Sequence, residues 1–361
     1  MLITIIAGAR PNFVKIAPII HEIKRQQEKG IDVNFQLVHT GQHYDKKLSG
    51  TFFEELNIPD PNVNLEIGSG SQAEQTAGIM VAFEKYLQKN RSDVVLVVGD
   101  VTSTMACAIV AKKMQIKVVH VEGGIRSFDL FMPEEINRMV TDAITDYFYV
   151  TSNFAIENLK NLGFSNERII LVGNTMIDTL IANIKRLKAP QIYNEFSLEE
   201  KKYIVLTMHR PANVDEELKL KLFLEEIVNS SRGLPIIFPV HPRTKEIIKK
   251  LNLVYDNLFM IEPLGYLEFN YLVKNCFCVI TDSGGITEET TYLKVPCLTL
   301  RDNTERPETI SIGTNKLVGT NPKLIKDSLE QIFDGKWKKG EIPAFWDGKT
   351  SQRIINHIIG I

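Results

Sequence analysis

DVVLVVGDVTSTMACAIVAKKM, residues 93–114, is the stretch on which the fold turns. A run of valines and a leucine ends in Gly99 and Asp100, and a small-residue segment with helical spacing follows. That sequence of events is a βα unit with a buried strand. It puts the Asp100 carboxylate at a strand end, and Thr102, Ser103 and Thr104 read as capping residues of the next helix.

The same pattern spreads outward in both directions. LITIIAG (2–8), DVNFQLVHT (32–40), KVVHVEGG (117–124) and DYFYVTS (146–152) are each followed by helical periodicity. After the polar, proline-bearing segment RLKAPQIYNEFSLEEKK (186–202) it starts again with YIVLTMH, PIIFPVH, LFMIEPL, FCVITDSGG and VPCLTLRD. Strand-helix alternation with apolar runs gives a parallel sheet covered on both faces. The expectation is an α/β chain of two Rossmann-like, doubly wound parallel-sheet domains, residues 1–185 and 186–345. Residues 346–361 form a C-terminal helix expected to cross back onto the first domain. In open α/β sheets ligands bind outside the carboxyl ends of the strands, and two such edges facing each other would make a deep cleft.

Composition excludes several classes. The 361 residues are 24% charged and 44% apolar with a formal net charge of −2, an ordinary soluble profile without the basic surplus of a nucleic-acid binder. LITIIAG lacks a basic flank and is broken by Gly8, Arg10 and Pro11, too short for a membrane span or a leader, so a cytoplasmic protein is expected. The four cysteines form no C-x-x-C pair and the seven histidines show no ligand spacing. Neither a metal site nor a disulfide framework is expected.

The polar motifs cluster at the strand ends. In GARPNFVK, Gly8 permits a tight turn while Arg10 and Lys15 put positive charge beside a helix start, a place for a phosphate, and Pro18 marks a start or kink of that helix. The three-glycine dinucleotide fingerprint is absent. HVEGGIRSFDLFMPEEINR (120–138) puts Glu122 at a strand end before Gly123 and Gly124, and Glu134 and Glu135 after Pro133. One of that glutamate pair reads as a first-turn acid favoured by the helix dipole, with Asn137 and Arg138 on the flanking faces. In the second half, His209–Arg210 and the His241 and Arg243 of HPRT follow successive strands. Ser283, Gly284 and Gly285 form a backbone nest opening a helix, suited to a diphosphate. One turn on, Glu289 is placed to accept both hydroxyls of a ribose, Glu288 reads as a helix-surface residue, and Arg306 adds a cation.

Taken together, GARPNFVKIAP, HTGQHYD, GDVTST, HVEGGIRS, MPEEINR, VGNTMIDT, HRPANVD, HPRT, DSGGITEET and TERPE resemble the non-hydrolysing UDP-N-acetylglucosamine 2-epimerases, in order and over nearly the whole chain. The resemblance implies a GT-B fold with UDP bound in the cleft. It implies a catalytic group of Asp100, Glu122, Glu134 and His209. It also implies nucleotide and phosphate contacts from Arg10, Lys15, His209, Ser283, Gly284, Gly285, Glu289 and Arg306. A second, activating UDP-sugar would involve Gln42, His43, Arg210 and His241. The family often has Ala where Gly123 stands and an Arg-Glu pair where Pro211 and Ala212 stand.

The reaction so implied is an elimination in which UDP leaves C1, C2 loses its proton to give 2-acetamidoglucal, and UDP returns after protonation on the other face. No cofactor, nucleic acid or membrane is called for, and a homodimer serving envelope polysaccharide synthesis is implied. The alternatives are a 2-epimerase for a UDP-linked 2,3-diacetamido uronic acid, a UDP-sugar-dependent GT-B glycosyltransferase, a hydrolysing 2-epimerase and a UDP-sugar-binding regulatory module.

Overall fold

The computed structural model describes residues 1–41, 52–240, 242–319 and 321–361, without the side chains of Arg10, Pro211, Ala212, Pro242 and Arg243. The chain divides into two compact units, Met1–Ala182 with Ala344–Ile361, and Asn183–Pro343.

Among the described residues of the first unit seven strands, β1 (Leu2–Ala7), β2 (Asn34–His39), β3 (Val63–Asn64), β4 (Val94–Val98), β5 (Lys117–Val121), β6 (Tyr147–Val150) and β7 (Ile169–Leu171), lie in the order β3-β2-β1-β4-β5-β6-β7. Every pairing is parallel. Helix α1 (Arg10–Glu28) follows β1, α2 (Gln72–Lys89) precedes β4, α3 (Thr102–Lys113) follows it, and α4 (Pro133–Ile144) lies between β5 and β6. The valines of β4 are buried on both faces, as a central parallel strand requires. Ala106, Cys107, Ala108 and Ala111 let α3 pack closely among Ile79, Phe83, Val95 and Val97.

Two local expectations are corrected. The hydroxyls after Asp100 do not cap α3, whose N-cap is Val101 without a side-chain bond. Gly99, at φ 68°, turns the chain so that they point inward. There Thr104 Oγ1 donates to the Val98 carbonyl at 2.9 Å and Ser103 Oγ lies 2.7 Å from Thr40 Oγ1, so they tie strand ends together. Nor does α1 begin at Pro18, which lies inside it. Proline has no N–H to give the carbonyl four residues back, and Thr179 Oγ1 donates to that Val14 oxygen instead, at 2.6 Å.

The second unit carries β8 (Ile204–Thr207), β9 (Ile236–Pro239), β10 (Leu258–Ile261), β11 (Cys278–Thr281), β12 (Cys297–Thr299) and β13 (Asn315–Leu317), ordered β10-β9-β8-β11-β12-β13. These pairings too are all parallel. Helix α5 (Gly284–Leu293) follows β11. Ile204, Leu206, Phe238, Ile280 and Leu298 form the core on one side of this sheet. Each sheet reverses its strand order once, between β1 and β4 and between β8 and β11. Such reversals open a crevice at the carboxyl ends of the strands.

The last helix, α6 (Thr350–Ile359), packs on α1. Asp178 caps it, accepting from Thr350 N at 3.1 Å, Ser351 N at 2.8 Å and Ser351 Oγ at 2.9 Å. Gly173, at φ 100°, lets the returning chain pass so near that a Cβ would stand 2.1 Å from the Phe345 carbonyl oxygen. Part of the VGNTMIDT stretch (172–179) is therefore the dock for residues 344–361.

Candidate active site

At the β1/β4 reversal the turn after β1 is welded to the end of β4. Asn12 Oδ1 accepts from Gly8 N at 3.1 Å and Ala9 N at 2.9 Å, while its Nδ2 donates to the Val98 carbonyl at 3.2 Å. One turn along α1, Lys15 Nζ meets Glu122 Oε2 at 2.7 Å, with side chains only 11% and 1% exposed. Gly99 makes room for that ammonium, which would lie 3.1 Å from a Cβ there. Glu122 itself has φ 69°, a left-handed conformation for a residue with a side chain. Strain of this kind is held in place only when the surroundings dictate it, and it gathers at functional positions. At Gly123 an added Cβ would come within 2.9 Å of Phe148 Cδ1, so a side chain there requires that ring to shift.

Asp100 is gripped from α4. Arg138 reaches its Oδ2 with Nη2 at 2.5 Å and Nε at 3.0 Å, and Asn137 Nδ2 donates to its carbonyl at 2.9 Å. Arg138 and Asn137 are thus buried holders of Asp100 and do not lie on solvated flanking faces. The paired glutamates part company. Glu135 is 1% exposed and accepts from Ser127 N and Oγ, both at 2.9 Å, and from Arg138 Nη1 at 2.6 Å. Glu134 is half-buried on the first turn of α4. Sequence reasoning placed Arg138 on a flanking face and missed its grip on Asp100; a second cation one helical turn after a glutamate pair was the available signal.

At the β8/β11 reversal the organiser is Asp282, which sequence reasoning also passed over. It is fully buried and accepts from His209 N at 3.0 Å, Arg210 N at 2.9 Å and Asn213 Nδ2 at 3.1 Å. His209 Nδ1 lies 2.7 Å from its Oδ1. Burial works to raise the Asp282 carboxyl, but the His209 contact and these backbone N–H groups outweigh it and hold the group below its ordinary value. A carboxylate facing Nδ1 fixes the proton there and leaves Nε2 as the working nitrogen of an imidazole that is 62% exposed. Its position, last in a buried strand and just before Ser-Gly-Gly, was the signal.

Ser283 is the N-cap of α5, and its N–H donates to Thr281 Oγ1 at 2.9 Å. Beside this turn lies Arg301, 5% exposed, bonded through Nη2 to Glu305 Oε2 at 2.6 Å. Its Nε and Nη1 have no hydrogen-bond partner among the described residues, and Nη1 lies 3.7 Å from where a Gly284 Cβ would stand. That cation faces the nest and was not foreseen. Glu289 is buried, and burial pushes its carboxyl up to about 7 against hydrogen bonds from Asn270 and Tyr266. Glu288 is a correction: it is fully buried, with Oε1 2.6 Å from Arg306 Nε. Thr287, Thr290 and Thr291 are buried with it, so this part of α5 has no surface face to offer.

Of the other expected residues, the Arg10 side chain, Gln42, His43 and His241 lie outside the described residues. Arg210 contributes its backbone N–H to Asp282. Among the described residues no group of three or more His, Cys, Asp or Glu could hold a metal ion, and no helix is long and apolar enough to cross a membrane.

A family model for UDP-N-acetylglucosamine 2-epimerase matches residues 24–359. The chain belongs to that family. It is 42% identical over 369 residues to the UDP-N-acetylglucosamine 2-epimerase of Methanocaldococcus jannaschii, covering 98% of each chain. The crystal structure of the M. jannaschii UDP-GlcNAc 2-epimerase in complex with UDP-GlcNAc and UDP superposes at TM-score 0.89, 41% identity and full coverage of both chains. The Pseudomonas aeruginosa UDP-2,3-diacetamido-2,3-dideoxy-D-glucuronate 2-epimerase is 35% identical over 362 residues, with 99% of each covered. MurG of Acinetobacter baumannii, at 11% identity and TM-score 0.57, shares the fold, two parallel-sheet Rossmann-like units of GT-B type.

Proposed function

We propose that this chain is a non-hydrolysing 2-epimerase that interconverts UDP-N-acetylglucosamine and UDP-N-acetylmannosamine. The observation that carries the reading is the β1/β4 reversal, where Lys15–Glu122 and Asp100–Arg138 gather two carboxylates and two cations at strand ends in a chain of this family. C2 of the sugar is not beside a carbonyl, so losing its proton directly would leave an unstabilised carbanion. Elimination avoids this. The C1–O bond breaks and its electron pair leaves with UDP, the C2 proton passes to a base, and the C1–C2 double bond forms. Re-addition of UDP with protonation on the opposite face of C2 gives the epimer.

In this reading Asp100, Glu122 and Glu134 stabilise positive charge on the sugar and serve the two proton transfers, each worth about 10²–10⁴ in rate. UDP has to stay bound throughout. In the second unit the Ser283-Gly284-Gly285 nest, Arg301, Arg306 and a doubly protonated His209, donating from Nε2, would hold the diphosphate, and Glu289 the ribose; in the first unit Arg10 and Lys15 supply cations at the start of α1. A cation at about 4 Å contributes roughly 4 kcal/mol of raw attraction near a surface, before desolvation. Exposed apolar side chains at Phe128, Leu130 and Phe131, with Ile136 and Met139 on α4, support a homodimer. We place the enzyme in the cytoplasm.

The test is NMR of the purified protein with UDP-N-acetylglucosamine in D₂O. Deuterium at C2 in both UDP-linked epimers is expected. Free N-acetylmannosamine would mean a hydrolysing enzyme. The similarity to the P. aeruginosa relative supports a second reading, a UDP-linked diacetamido uronate as substrate, which the same measurement decides when run with that sugar.

A further inference from the structure

Beneath the first unit's two candidate turns lies a cluster of charges that the proposed chemistry does not use. His120, on β5, is fully buried. Its Nε2 lies 2.8 Å from the Gly99 carbonyl oxygen, and its Nδ1 lies 2.8 Å from Asp142 Oδ1 on α4. A carbonyl and a carboxylate can only accept, so the ring donates a proton to each and carries both. Asp142, also fully buried, accepts with its other oxygen from Gly124 N at 3.0 Å and pairs there with Arg126 Nη1 at 2.7 Å. Burial would raise its carboxyl, yet His120 and Arg126 hold it below its ordinary value, in keeping with an ion flanked by two cations.

The connections form one path. From Gly99, the residue before Asp100, it runs through His120 to Asp142 and on to Gly124, two residues after Glu122. Gly99 N also donates to the Val121 carbonyl at 3.1 Å, closing the loop between the β4 and β5 turns. Burying an imidazolium, a carboxylate and a guanidinium together is a costly way to stabilise a core, since apolar residues of similar volume often do as well or better. What such a cluster supplies is fixed geometry. Both Gly99 and Gly124 have positive φ, at 68° and 76°, and Glu122 at 69° lies between them, so these turns need holding.

We propose that His120, as a buried imidazolium bridging Asp142 and the Gly99 carbonyl, is a positioning residue that keeps the Asp100 and Glu122 turns in one register for proton transfer at the sugar. The role rests on the epimerase reading. The state of the ring does not.

Two measurements test it. ¹⁵N NMR of the imidazole nitrogens in the full chain should show both ring nitrogens of His120 protonated; a neutral ring with one bare nitrogen overturns the proposal whatever the substrate. His120→Gln and Asp142→Asn should each lower kcat for C2 deuterium exchange by about 10²-fold, with KM within about threefold and UDP affinity unchanged. The double variant should fall no further than the worse single, because the residues act as one unit. Unchanged kcat, losses that multiply, or a kcat that merely follows the folded fraction would each overturn the positioning role. Wild-type protein without C2 exchange would sink the epimerase reading instead, leaving the NMR result to decide the state of the ring.

Discussion

The two units share a sheet order and differ in what they put at its reversal. At the β1/β4 end, side-chain charges oppose one another in partly buried pairs, Lys15 with Glu122 and Arg138 with Asp100. At the β8/β11 end one buried carboxylate, Asp282, gathers N–H groups around an exposed imidazole, beside a glycine nest and a buried guanidinium. In the proposed reading the same fold builds an acid-base centre in one half and an anion holder in the other. The strand ends, and not the strands, decide which.

The sharpest way to break that contrast is to neutralise the acids of the first unit. Glu122→Gln and Asp100→Asn should each lower kcat by about 10²–10⁴-fold while UDP still binds, read by C2 exchange and by titration with UDP. Full turnover in Asp100→Asn would remove Asp100 from the chemistry. In the second unit, Asp282→Asn frees the His209 tautomer and should cost about 10²-fold in kcat together with weaker UDP binding. A loss in kcat alone would make His209 part of the acid-base centre and blur the division between the units.

A pH series sharpens the picture further. Glu289 titrates near 7 in the folded protein against an ordinary value of 4.5, so the folded state holds the extra proton between those limits. Unfolding free energy should therefore fall as pH rises from about 4.5 to about 7, by roughly 3 kcal/mol at most, and flatten above. Glu289→Gln should lose that slope. Ribose binding by the carboxylate runs the other way, with the Kd for UDP rising by about fivefold from pH 7 to 6.

The smallest effects come from glycines. Gly124, at φ 76°, has the Ala155 carbonyl oxygen 2.6 Å from any added Cβ, so Gly124→Ala should destabilise by about 1–3 kcal/mol in chemical denaturation. At Gly284 the obstacle is the end of a side chain and not backbone, Glu305 Oε1 at 2.8 Å from the Cβ position. Gly284→Ala should keep its melting temperature and weaken UDP binding only a few-fold. Equal stability losses at the two sites would argue that the nest is as rigid as the turn at Gly124.

The architecture was legible because parallel strands buried on both faces leave uninterrupted valine and isoleucine runs, each punctuated by Gly, Asp or Glu. Strand-end acids such as Asp100 and Glu122 could be picked out for the same reason. Partnerships could not. Glu135, Arg138 and Asp282 have the composition of helix surface or of a cap, and only the fold shows that each is buried against a specific partner. Glu288 was misjudged because helical spacing alone does not tell a helix with a solvated face from one enclosed on all sides. Thr179 could not be foreseen as the donor to Val14, because the vacancy it fills is made by a proline 161 positions earlier in the chain.

The docking of α6 on α1 bears on how the chain matures as it is made. Residues 183–343 form an uninterrupted unit that can close as soon as it leaves the ribosome. The first unit, although synthesised earlier, has Asp178 and Gly173 waiting for partners at Phe345, Thr350 and Ser351. The half that carries the acids is thus the later to be finished, and the emergence of residues 344–361 is the event that completes it.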